Sequence, residues 1–193
     1  MTQLTHESDV TGALEKVKGS DNRQNVSSRS DSRRYYNSRD RSETYSLVFD
    51  DANATTGDFI AYLRNNKTDG KTMVISAVGL NCAAASSSFK LSVVTGTAGG
   101  GTAATPTNLN QADKAKSATV TALITADSGV TPMSGLTEDK VIDHAGINAA
   151  YGHEEFRLDD TLRIGQDQAV AIELEYAAAS DVRAFGVIFF YFE

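Results

Sequence analysis

The sequence predicts an all-β fold, an antiparallel sandwich or barrel, and three observations carry that expectation. Beyond residue 43 the apolar residues alternate with period 2 or fall in short β-branched runs. Clusters of Gly, Asn, Asp and Ser separate these runs, and no long amphipathic helix lies between them, which argues against βαβ units. Finally, 193 residues suit one domain plus an appendage or one large β domain. A body of about 150 residues buries roughly 70% of its unfolded surface, enough to sustain its own core.

The first 43 residues read as an extended N-terminal arm. Val10, Leu14 and Val17 fall at helical spacing behind a possible N-cap at Ser8, which predicts two helical turns acting as a weak docking element. From residue 22 to 41 the chain holds Arg23, Arg29, Arg33, Arg34, Arg39 and Arg41 against Asp31 and Asp40, with Val26 its only aliphatic residue. So little apolar surface cannot offset the entropy of ordering, and the segment is expected to be extended or disordered until it meets a partner.

The body, residues 44–193, offers nine candidate strands: 44–49, 59–63, 72–80, 88–95, 118–125, 140–143, 161–164, 169–176 and 184–192. In 169–176, Val170, Ile172, Leu174 and Tyr176 share one face while Ala171, Glu173 and Glu175 share the other, the pattern of a strand with one wet side. The last strand differs. Phe185, Val187, Phe189 and Tyr191 alternate with Gly186, Ile188, Phe190 and Phe192, so both faces are apolar and both need cover. Either the segment 96–116 roofs it, or a neighbouring subunit does; the second option makes Ile188, Phe190 and Phe192 the candidate oligomer interface.

Charge and cysteine content narrow the function. The net charge is −7, divided into +1 for residues 1–43 and −8 for residues 44–193. The body is therefore no general nucleic-acid binder, and nucleic acid is disfavoured as a partner. A lone cysteine, Cys82, supplies neither an internal disulfide nor a thiolate cluster for zinc, which fits synthesis in a reducing cytoplasm. The opening residues lack basic and apolar signal regions, and no run approaches the roughly 18 apolar residues of a membrane span, so neither export nor a membrane partner is expected.

Individual motifs mostly resolve to structure. The Gly-rich run at 96–110 has neither Gly-Lys-Ser/Thr nor G-x-G-x-x-G spacing and reads as a loop. Residues 50–58 cluster Asp50, Asp51, Asn53 and Asp58, but an EF-hand read from Asp51 has Thr56 where Gly belongs and Tyr62 where the closing Glu belongs. A polar turn is favoured there, with an irregular calcium site left open. His144 follows Asp143 and His153 precedes Glu154 and Glu155, a conceivable metal or general-base site without His-x-x-x-His spacing. Ser86, Ser87 and Ser88 lack a G-x-S-x-G elbow, and Cys82 lacks an activating base. Asp159 and Asp160 would point to opposite faces or cap a turn. No catalytic residue, metal or cofactor is assigned, and the chain is expected not to be an enzyme. The arm carries the positive argument: six arginines with Tyr35 and Tyr36 suit docking on an acidic protein surface through bidentate Arg–carboxylate pairs, ahead of phosphate contact.

With these parts in place the body resembles structural proteins of tailed-phage virions, in particular capsid decoration or cement proteins. The residues that carry the resemblance are Gly-Thr-Ala at 96–98, Ala-Ala-Thr-Pro-Thr-Asn-Leu-Asn at 103–110, Phe-Arg-Leu-Asp-Asp-Thr-Leu-Arg-Ile-Gly at 156–165, and the aromatic last strand. The resemblance implies a jelly-roll-type β-sandwich forming a homo-oligomer, a trimer foremost, on the capsid exterior. There it would reinforce contacts between copies of the major capsid protein, tethered by Arg23, Arg29, Arg33, Arg34, Tyr35, Tyr36, Arg39 and Arg41. The alternative is a tail, adaptor or head-fibre component that binds a host surface glycan or another tail protein.

Overall fold

The computed structural model describes residues 37–113, 116–125 and 132–193, together with four short upstream strands, β1 (Thr5–Glu7), β2 (Leu14–Lys16), β3 (Gly19–Ser20) and β4 (Arg23–Gln24). The chain divides into two compact units, Met1–Ser32 and Arg33–Glu193. In the first, β1 pairs antiparallel with β2 and β3 with β4. Leu14 thus lies in a strand where its spacing from Val10 and Val17 predicts a helix; those two valines lie outside the described residues. Two helical turns interrupted by Gly12 are marginal in water, whereas an antiparallel partner at Thr5–Glu7 satisfies the backbone directly.

The second unit opens with a single wide turn, Asn37–Arg41, and continues through β5 (Thr44–Ala54), β6 (Phe59–Asn65), β7 (Met73–Cys82), β8 (Ser87–Gly99), β9 (Thr102–Ala103), β10 (Thr107–Asn108), β11 (Val120–Ile124), β12 (Ser134–Ile147), β13 (Gly152–Ile164), β14 (Ala169–Ala177) and β15 (Val182–Phe192). All pairings are antiparallel. The front sheet has the order β10-β5-β15-β7-β13, and the back sheet β12-β8-β14-β6-β11-β9. Among the eight long strands, β5 pairs with β15, β6 with β14, β7 with β13 and β8 with β12. This nesting of first with last and second with next-to-last is a jelly roll, so the fold is an all-β sandwich of that kind. The short strands β9, β10 and β11 are an insertion between β8 and β12 that extends the opposite edge of both sheets.

All nine expected strands are present, and the core lies between the sheets. Leu47, Phe49, Ile75, Phe89, Leu91, Phe156, Ile172 and Leu174 are fully buried there. Tyr45 stacks on Phe190 at 5.4 Å, and Phe192 meets both rings edge-on at 6.1 and 6.0 Å. Such aromatic pairs contribute about 0.5–1.5 kcal/mol each beyond the area they bury. On β14 the expected alternation holds through Leu174 and then breaks. A bulge between Leu174 and Tyr176 shifts the register, pairs Tyr176 with Ser88 and leaves it 51% exposed.

The last strand requires a correction. Ile188, Phe190 and Phe192 are at most 1% exposed within the single chain, because their face of β15 points into the sandwich. They form the core and are not free to build an oligomer interface. The described residues of segment 96–116 do not roof β15 either; their strands run along the edges, with β9 on β11 and β10 on β5. On the outward row of β15, Phe185, Val187 and Phe189 are half-buried, and Val48, paired with Val187, is 64% exposed.

The two outermost long strands are mostly polar. β12 is exposed along most of its length and carries three register breaks, devices that blunt an edge against pairing with another chain. In β13, Asp159 and Asp160 both take positive φ, 43° and 59°, between the pairs Arg157↔Ala77 and Leu162↔Ile75. They turn the strand away from β7 for a few residues instead of flanking a cleft. No helix among the described residues is long and apolar enough to cross a membrane.

Candidate functional site

Of the expected docking residues, Arg29, Arg33, Arg34, Tyr35 and Tyr36 lie outside the described residues. Arg23 contributes backbone to β4, Arg39 contributes backbone to the turn Asn37–Arg41, and Arg41 is exposed at the end of that turn. What the structure resolves is how residues 37–43 are held. Asn108 Nδ2 donates to the Ser42 carbonyl at 2.8 Å, Asn110 Nδ2 to the Ser38 carbonyl at 2.9 Å, and Lys116 Nζ to the Arg41 carbonyl at 2.5 Å.

The strongest anchor is Glu43, 1% exposed and surrounded by lysines. Lys71 Nζ donates to both carboxylate oxygens at 2.7 and 2.6 Å, Lys67 Nζ reaches Oε1 at 3.2 Å, and Lys116 Nζ stands 3.5 Å away. Lys67 also sits over the Phe192 ring, 5.0 Å from its centre. Burial pushes the Glu43 carboxyl up, but the hydrogen bonds and charges of Lys71 and Lys67 outweigh it and hold the group below its ordinary value. Composition gave no sign of this cluster, because its lysines come from two separate loops, between β6 and β7 and between β10 and β11.

The outer face of the back sheet carries a second polar network. His144 Nδ1 lies 3.1 Å from Glu175 Oε2, and Ser88 Oγ donates to the same oxygen at 3.2 Å. Lys90 Nζ bridges Glu138 at 2.7 Å and Glu173 at 2.9 Å. Hydrogen bonding from His144 lowers the Glu175 pKa, and hydrogen bonds to Glu138 and Glu173 raise that of Lys90. Ser88 thus donates to Glu175, and among the described residues no hydrogen bond joins it to His144. His153 belongs to the other sheet, its ring over Gly79, and the two histidines do not share a site. Cys82 is buried in β7. At residues 50–58, Asp51 and Asp58 accept from Asn53 N and from Thr55 N and Oγ1, while Asp50 pairs with Arg183. These carboxylates serve the turn and the ion pair, and no group of metal-ligating side chains converges among the described residues.

A cavity of 380 Å³ opens on the outer face of the back sheet, lined by Tyr62, Arg64, Thr95, Asp139, Asp167 and Gln168 among others. Its floor follows from the register. Arg64 pairs with Ala169, so a small side chain leaves a depression beside Arg64 and Tyr62. Its wall is the stretch of β8 around Gly96, where β12 approaches closely. Gly96 and Gly135 have φ of 96° and 74°; a Cβ on Gly135 would lie 2.6 Å from the Thr97 carbonyl oxygen, and one on Gly96 would run into the Gly135 carbonyl.

No family model, curated protein or solved structure matches this chain. The geometry alone defines its class: an antiparallel jelly-roll sandwich with residues 37–43 anchored to it and a polar cavity on its back face.

Proposed function

We propose that this chain is a non-enzymatic structural subunit of a tailed-phage virion, a decoration or cement protein on the capsid exterior. In this reading the sandwich is a rigid head and the Arg-rich arm docks on the major capsid protein. The observation that carries it is the fixing of residues 37–43: a segment that transmits load from an arm must be held to the body, and the buried Glu43 with Lys67 and Lys71 does so next to β15. Several arms on one homo-oligomer, a trimer foremost, would multiply weak contacts through effective concentration. The oligomer contact then belongs on the outward row of β15, with Phe185, Val187 and the exposed Val48.

The test is deletion of residues 1–36, which removes Arg23, Arg29, Arg33, Arg34, Tyr35 and Tyr36 and spares the body described from Asn37 onward. The truncated protein is expected to fold and to lose cosedimentation with heads assembled without the native protein. Unchanged cosedimentation would overturn the docking role. In parallel, Val48→Asp should lower the native mass of the oligomer; an unchanged mass removes that face from the interface.

A further inference from the structure

The cavity on the back sheet is built by irregular backbone. Asp139 is the extra residue of a bulge, standing between the pairs Glu138↔Val94 and Lys140↔Val93. Asp167 sits in the turn between β13 and β14 with φ of 62°, a conformation that costs a non-glycine residue about a kcal/mol or more. Bulges and left-handed residues are the means by which a sheet re-aims side chains that regular pleating would misplace, and here both present a carboxylate to one cavity.

The hydrogen-bonding capacity of the lining is mixed and partly unused. Arg64 Nη2 donates to Asp167 Oδ1 at 2.8 Å, while Arg64 Nε is buried without an acceptor among the described residues. Gln168 Oε1 accepts from Gly165 N at 2.8 Å, which fixes the amide and leaves its NH₂ group to donate. Asp139 makes no hydrogen bond or ion pair among the described residues and offers acceptors. The Tyr62 hydroxyl adds a further polar group; burial pushes its pKa up, and the neighbouring Arg64 only partly opposes this, so it stays protonated.

Charge selects among ligands. Two carboxylates face one guanidinium that is already paired with one of them, so an anion would meet Asp139 uncompensated, and an ammonium group would meet Arg64. A neutral polyhydroxylated molecule suits this lining, because each hydroxyl can donate to a carboxylate and accept from Arg64 or Gln168. At 380 Å³ the cavity lies near the lower end of the range for small-molecule sites, about 300–1,000 Å³, which fits one or two sugar rings.

We propose that this cavity is a saccharide site, with Asp139, Asp167, Arg64 and Gln168 reading ring hydroxyls. Tyr62 is too buried to offer its ring face, so recognition rests on hydrogen bonds and the affinity is weak. The experiment is saturation-transfer NMR on the full chain with the methyl glycosides of glucose, galactose and mannose, alongside N-acetylneuraminic acid and glucosamine. At least one neutral glycoside should bind with Kd of about 1 mM. Asp139→Ala and Gln168→Glu should each weaken it about tenfold, the cost of one hydrogen bond to a charged group. Neither should lower the melting temperature, since the first residue has no described partner and the second variant keeps the acceptor for Gly165 N. Silence of all three neutral glycosides at about 10 mM, a weak-binding ceiling, binding only of the charged sugars, or undiminished binding by both variants would overturn the proposal.

Discussion

Replacing Glu43 by Gln tests the anchor of the N-terminal segment. The substitution keeps the shape and removes the charge that Lys71 and Lys67 share at 2.6 and 3.2 Å. Breaking a buried pair by removing one partner costs about 3–5 kcal/mol. Two features reduce that figure: Lys71 and Lys116 are part-exposed and can turn to water, and Asp69 stands 3.9 Å from both Lys67 and Lys71 as a substitute partner. A loss of about 2–3 kcal/mol is expected at neutral pH, which for a unit of this size lowers the melting temperature by about 5–10 °C. The pH dependence has a definite sign. The folded pKa of Glu43 is depressed below 4.5, so its stabilisation is complete above the unfolded value and disappears as pH falls through the folded one. Urea titrations of both proteins should therefore show the gap at pH 7 closing on acidification. A gap below about 0.5 kcal/mol at pH 7, the range of an ordinary surface substitution, or one that persists in acid, would refute the assignment.

Three further outcomes are expected. Phe190→Ala opens a cavity beside Tyr45 and Phe192 and should cost about 3–5 kcal/mol of folding stability; chemical denaturation checks this, and an unaltered midpoint would place the ring outside the core. Gly186→Ala should destabilise by more than about 2 kcal/mol, since a Cβ there would run into the Gly79 carbonyl and lie 2.6 Å from Phe49 Cζ; a normal melting curve would show that β15 and β7 can separate without loss. Arg183→Ala removes a bidentate pair with Asp50 at the surface and should change stability by less than about 1 kcal/mol, with little response to added salt; a larger loss in the same thermal assay would mean that the contact of Arg183 with the Phe185 ring matters more than the charge.

The strands were legible in the sequence to the degree that they are buried. Those at 44–49, 59–63 and 184–192 announce themselves because their inward residues are large and apolar. The edge strands β12 and β13 are expected as four residues each, at 140–143 and 161–164, yet run to 14 and 13. Their length is hidden because an exposed edge needs no apolar face and because bulges at Asp139, Asp159 and Asp160 break the alternation that would reveal it. The dual apolar character of 185–192 was visible, but alternation alone did not say which face was inward. Pairing does: Ile188 meets Leu47 and Val78, which are core residues. The cavity was the least visible, since Arg64, Thr95 and Asp139 come from three strands and Gln168 from the turn before β14, and they meet only through the sheet's pairing.

The nesting of strand pairs has a consequence for how the protein comes to exist. The first long strand, β5, hydrogen-bonds to β15, the last of the sandwich strands along the chain, and Thr72 and Glu193 exchange two backbone hydrogen bonds just beyond β15. Tyr45, Leu47 and Phe49 are made well before the β15 residues they pair with. Contacts this distant along the chain slow folding and prolong the time for which unpaired edges and apolar faces are open to association.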